Sequence, residues 1–186
     1  MRVRQSLLAV ALLLALGGGG CAGPVPAVTG AASGTARAAG LPDWNGPSDA
    51  AHLVCTSDAV QDISGALGLV LTEPLAPVFK DHLYSCAYHY PDAVLTLSVK
   101  DLADPAATTA WFDSLRGAAG PGAAALGGLS EAAFQEADGT VVLRKDDTVL
   151  VVDVSGFPAQ VGKPPRSRAA AARTVATTVL ICWKEG

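Results

Sequence analysis

The stretch from Leu83 to Val99 leaves this chain the least freedom. Tyr84, Cys86, Tyr88 and Tyr90 alternate with Ser85, Ala87 and His89, and Leu95, Leu97 and Val99 alternate with Val94, Thr96 and Ser98. A period of two sends successive side chains to opposite faces of a strand, so each run has one apolar face to bury. Pro91-Asp92 supplies turn chemistry between them, and the two runs are expected to pair as an antiparallel hairpin. A lone hairpin is marginal in water, so the rest of the chain has to cover the face that carries the tyrosines and leucines.

Helical periodicity supplies that cover. Val60, Ile63 and Leu67 recur between Ser57, read as an N-cap, and Gly68, which suits a helix stop, and this predicts a helix over Ser57 to Leu67. Asp104 as N-cap and Pro105 at the first helical position open a second helix. Its inner face is read as Thr108, Trp111, Phe112, Leu115 and Ala118, and it ends near Gly117 to Gly120. A long third helix starts near Ser167, with Ala172, Val175, Ala176, Val179 and Trp183 on one side.

Leu69 to Thr72 reads as a short strand, and Ala132 to Gln135, Val141 to Arg144 and Thr148 to Val154 as three further ones, with turns at Asp138-Gly139 and Asp146-Asp147. The stretches Gly117 to Gly128 and Phe157 to Pro165 are read as loops. Helix, strands, helix, strands, helix is the order of an α+β domain, an antiparallel sheet with three helices packed on it, here expected over residues 49–186. No internal repeat accompanies the pattern.

The N-terminus has a different character. Arg2 and Arg4 precede an apolar run from Leu7 to Leu16, and Gly17 to Gly20 lead into Cys21, which is the anatomy of a signal peptide. The run is about half of the ~20 residues needed to span a bilayer, so anchoring is expected through lipid on Cys21 and not through a transmembrane helix. A lipoprotein signal ordinarily has Leu three residues before its cysteine, and Gly18 stands there. The alternative is a small-x-small cleavage site over Gly20-Cys21-Ala22, releasing a soluble secreted protein. Residues 22–48 read as a disordered Gly/Ala/Pro-rich tether with a reach of roughly 25 Å.

Charge narrows the partners. The formal net charge of −4 becomes −6 once Arg2 and Arg4 leave with the leader, which argues against a nucleic-acid partner. His52, His82 and His89 match no zinc spacing, and the Asp138-Gly139 and Asp146-Asp147 pairs lack the spaced oxygens of a calcium loop, so no metal and no cofactor is expected. Gly128-Leu129-Ser130-Glu131-Ala132 approaches a nucleophile elbow, but a Gly-rich loop precedes it and a strand follows, which is the wrong context for a Ser130 nucleophile. The Gly-rich runs match neither a phosphate loop nor a dinucleotide fingerprint.

Two surface readings remain. Tyr84, Tyr88 and Tyr90 form a candidate binding face, against the more ordinary role of core beneath helices. Lys163, Arg166, Arg168 and Arg173 form a basic cluster suited to a polyanion or membrane surface, against the ordinary role of a solvated helix start.

Cys55 just before a helix, Cys86 in a Cys-Ala-Tyr strand, the segment Gly127 to Ala132 and the final Ala/Val helix resemble small actinobacterial envelope lipoproteins with cysteine-bridged extracytoplasmic domains. They are similar also to the extracellular sensor domains of some receptor Ser/Thr kinases. The resemblance spans Cys55 to Trp183 and implies a PsbP-like α+β sandwich with no established catalysis; Cys182 departs from its two-cysteine pattern.

A Cys55–Cys86 disulfide is accordingly expected, with Cys182 a buried, inert thiol outside it; the competing pairing is Cys55 with Cys182. The functional expectation is a lipid-anchored, non-catalytic binding or sensor module on the outer face of the cell membrane, with an envelope ligand or protein as partner. The alternatives are a secreted soluble hydrolase and a lipid or lipoglycan carrier.

Overall fold

A computed structural model describes residues 45–185. The central hairpin forms as the alternation requires: β2 (Leu83–Tyr90) and β3 (Ala93–Asp101) pair in a register that sets Cys86 opposite Leu97 and Tyr88 opposite Leu95. Pro91 fixes the first turn position, and Asp92 takes φ 61 at the second. A short strand β1 (Val78–Lys80) joins the free edge of β2 through a turn in which Asp81 and His82 both have positive φ, the twist a two-residue hairpin favours.

Beyond β3 the chain crosses over through α3 (Pro105–Ala119) and returns as a second meander: β4 (Ala124–Ala125), β5 (Ala132–Gln135), β6 (Val141–Lys145) and β7 (Thr148–Gly156). Because β7 pairs with β3, the two meanders fuse into one antiparallel sheet of order β1-β2-β3-β7-β6-β5-β4. A small ribbon, β8 (Gln160–Val161) with β9 (Arg166–Ser167), then leads into α4 (Arg168–Glu185).

Alternation divides the sheet's side chains between two layers. One face carries Tyr88, Leu95, Leu97, Leu143 and Leu150, all fully buried beneath α1 (Asp49–Leu53), α2 (Ser57–Leu67) and α4. The other carries Phe134, Val142 and Val149, which meet Phe112 of α3. The α+β class and the antiparallel sheet are therefore present, with four α-helices among the described residues where three were expected.

Helix α1 is the addition. Its N-cap Ser48, placed by sequence at the end of the tether, belongs to the folded part.

Other details differ from expectation. The α2 cap is Thr56, whose hydroxyl accepts from the Ala59 N–H at 3.2 Å, and Ser57 is the first helical residue. Gly68 closes α2 with φ 64, and a Cβ there would run into the carbonyl oxygen of Lys163 in the Pro-rich loop, so the position needs glycine. Leu69 to Thr72 is not a strand: its link to the sheet is Thr72, which donates N–H and hydroxyl to the His89 carbonyl, and the edge strand falls later, after Pro74 and Pro77. On α3, Thr108 and Phe112 face inward as expected, but Trp111 and Ala118 are exposed. That helix buries a narrow stripe because α3 rests mainly on β6 and β7, with Phe134 of β5.

Candidate functional site

A five-residue helix does not hold itself together in water, so α1 stands only because distant parts of the chain fix it. Its start is clamped by Asp101 at the end of β3: one carboxylate oxygen accepts the Ser48 N–H at 2.9 Å and the other the Ser48 hydroxyl at 2.6 Å. Its middle is held by α4, where the Trp183 indole N–H donates to the Ala50 carbonyl at 2.8 Å. At its end, Tyr88 donates its hydroxyl to the Val54 carbonyl at 2.6 Å, and Cys55 is joined to Cys86 of β2 with a Cα–Cα distance of 6.0 Å. Burial, with the neighbouring Tyr90 and Cys182 charges adding to it, raises the Tyr88 phenol well above its ordinary value.

The helix so fixed forms one bank of a cleft of about 480 Å³. The other bank is the β6–β7 turn, carrying Lys145, Asp146 and Thr148; Asp49 and His52 stand on the α1 side, and Ala50, Leu53 and Trp183 supply the apolar part of the lining. The volume falls within the about 300 to 1,000 Å³ of small-molecule sites, and an apolar lining with a few charged groups is their usual composition. Lys145 pairs with Asp146 on its own bank, and Asp146 has φ 51, which turns the pair sharply out of β6. His52 stacks on Tyr84 with ring centroids 5.9 Å apart.

The residues singled out by sequence fall elsewhere. Cys21, the leader and residues 22–44 of the expected tether lie outside the described residues. The Cys55–Cys86 disulfide is present and the competing Cys55–Cys182 pairing is not. Cys182 is half-buried where full burial was expected, with its sulfur 3.8 Å from an Asp62 carboxylate oxygen.

The candidate binding face is closed. Tyr84, Tyr88 and Tyr90 are 8%, 0% and 4% exposed, because the helices that cover β3 also cover β2. Tyr90 shares a 3.2 Å hydrogen bond with Ser64 of α2, and burial raises its phenol, an effect that this bond partly offsets.

Ser130 directs its hydroxyl to the carbonyls of Ala132 and Arg144 at 3.0 and 2.9 Å, a loop-fixing role, and among the described residues it makes no hydrogen bond to a His, Asp or Glu side chain. His89 pairs with Glu73 at 3.2 Å on the surface, and His82 sits in the β1–β2 turn against Phe79. Among the described residues no group of three or more His, Cys, Asp or Glu is placed to hold a metal ion, and no helix is long and apolar enough to cross a membrane.

The basic cluster is largely engaged in structure. Arg173 donates to Gln135, Arg166 to Thr174 and Arg168 to the Asp138 carbonyl, toward the N-terminal end of α4, with Arg173 and Arg168 roughly 15 to 22 Å along the helix from Trp183. Sequence reading missed the cleft because its parts come from three separate segments. The one legible sign was Trp183 at the end of an otherwise Ala/Val face, an aromatic larger than that face needs.

Comparison with protein-family models, with curated proteins and with solved structures returns no match, so the resemblance to envelope lipoproteins rests on the quoted residues alone.

Proposed function

We propose that this chain is an exported, lipid-anchored binding module of the cell envelope, non-catalytic, with the cleft between α1 and the β6–β7 turn as its ligand site. One observation carries the reading: a helix of five residues is pinned at its start, middle and end by links to β3, α4 and β2, and the surface so fixed is the bank of a cleft. A binding site works best when its walls are set before the ligand arrives, because ordering them on binding subtracts from affinity. The disulfide adds to the export reading, since such bonds persist in oxidising compartments and are rare in the cytosol. The leader anatomy and Cys21 supply the anchor.

Two experiments test it. Cys21→Ser in the full-length chain is expected to move the protein from the membrane fraction to the medium or leave it as precursor; wild type found free with Gly23 at its N-terminus would overturn the anchor. Native mass spectrometry of protein taken from the envelope is expected to show a small-molecule adduct. The adduct should be lost in Asp49→Trp, which plugs the cleft from an exposed rim position. An adduct untouched by the plug, or hydrolysis of ester, peptide or glycoside probes abolished by Ser130→Ala, would overturn the binding reading.

A further inference from the structure

We propose that the cleft takes a small zwitterion, with an ammonium and a carboxylate on one apolar body of amino-acid to dipeptide size; this rests on the reading of the cleft as a binding site. The banks carry opposite unmet capacity. On α1, the Asp49 carboxylate accepts no hydrogen bond and makes no ion pair with any other described residue. On the facing turn, Lys145 gives one bond to Asp146, and an ammonium has three donors, so two are left for a ligand.

A molecule with one charge of each sign satisfies both banks at once. An anion alone leaves Asp49 and Asp146 facing it, and a cation alone leaves the two spare Lys145 donors unused. A purely apolar molecule desolvates all of these with no return.

Size and apolar lining narrow the class. At about 30 Å³ per water-sized atom, the roughly 480 Å³ of the cleft admits on the order of fifteen non-hydrogen atoms, the span from a large amino acid to a small dipeptide. The Trp183 indole N–H is committed to Ala50, so what the ring offers a ligand is apolar surface, and Leu53 extends it. A side chain with an apolar or aromatic group is therefore favoured over a polar one.

The test uses the intact mature chain and three probes: L-phenylalanine, L-phenylalaninamide, which lacks the carboxylate, and N-acetyl-L-phenylalanine, which lacks the ammonium. Phenylalanine is expected to shift the Trp183 indole and Thr148 amide NMR signals saturably, and each truncated probe to bind at least fivefold more weakly. Asp49→Asn and Lys145→Met should each weaken phenylalanine at least fivefold with the rest of the spectrum unchanged, and Lys145→Arg should restore most of the binding. Equal binding of either truncated probe overturns the zwitterion and leaves the binding reading standing. Silence of the cleft signals to phenylalanine overturns the zwitterion too, while the adduct experiment decides the binding reading separately.

Discussion

Beneath α1, α2 and α4 the sheet buries Tyr88, Leu95, Leu97, Leu143 and Leu150 and is crossed by a covalent bond; on the opposite face α3 meets it mainly through Phe112, Phe134, Val142 and Val149. The covered face spans β2 to β7, whereas α3 leaves Ser85, Ala87, Thr96 and Ser98 of β2 and β3 half-exposed. Most of the apolar burial, and hence most of the hydrophobic stabilisation, belongs to the first face. The second is a local dock, an edge-to-face pair of phenylalanines 5.3 Å apart with a few aliphatic neighbours. Cleft and staple lie on the same side of this division, so the rigid part of the molecule is also the part proposed to bind.

Breaking the staple is the largest expected effect. Replacing Cys55 and Cys86 together by Ala should cost about 4 kcal/mol, the loop-closure entropy for a separation of 31 residues. Denaturant titration measures it, and amide exchange should show α1 opening first; equal loosening of α3 would mean that the two faces are not independent. Phe112→Ala comes next at about 3 kcal/mol, read the same way, with loss of protection confined to α3.

Tyr88→Phe should cost about 1 to 2 kcal/mol, because the buried Val54 carbonyl loses its donor. The raised phenol makes the wild-type contribution complete below the unfolded value of 10.0 and lost as pH rises above it. Alkaline melting curves of the two proteins should therefore converge. Glu136→Gln is the smallest: burial, then Asp138 and Asp153, raises this carboxyl, so wild-type stability falls as pH climbs from 4.5 through the raised value. The variant should gain a few tenths of a kcal/mol near neutrality and nothing in acid, read as melting temperature against pH.

How much of this was legible in sequence follows the same division between self-sufficient and borrowed structure. The β2–β3 hairpin, α2 and α3 carry their own periods, caps and turn residues, and each appears close to where its pattern places it. Helix α1 is too short to show a period, and Asp101, Trp183 and Cys86, which hold it, are remote in the chain. Strand β1 is missed for a related reason: its turn puts Asp81 and His82 at positive φ without a glycine to announce it. Trp111 is misplaced because periodicity shows which residues share a stripe but not how wide a stripe the neighbour covers. The cleft is an arrangement of three such segments, so no local pattern contains it.

The position of β3 between β2 and β7 has a consequence for how the chain is made. Synthesis delivers β2 and β3 together, but the strand that completes β3's far edge begins at Thr148, whose partner in the sheet is Asp101. Until that strand arrives the edge stays open, and Leu95, Leu97 and Val99 lack the cover that the later α4 brings. During that wait the nascent hairpin is a template for pairing with another nascent chain. In an exported chain that emerges N-terminus first, both cysteines of the staple reach the oxidising side ahead of the second meander, so oxidation there can hold the first helices over the hairpin before it arrives. The same bond that fixes the cleft in the finished protein would thus act earlier as a guard on its most adhesive intermediate.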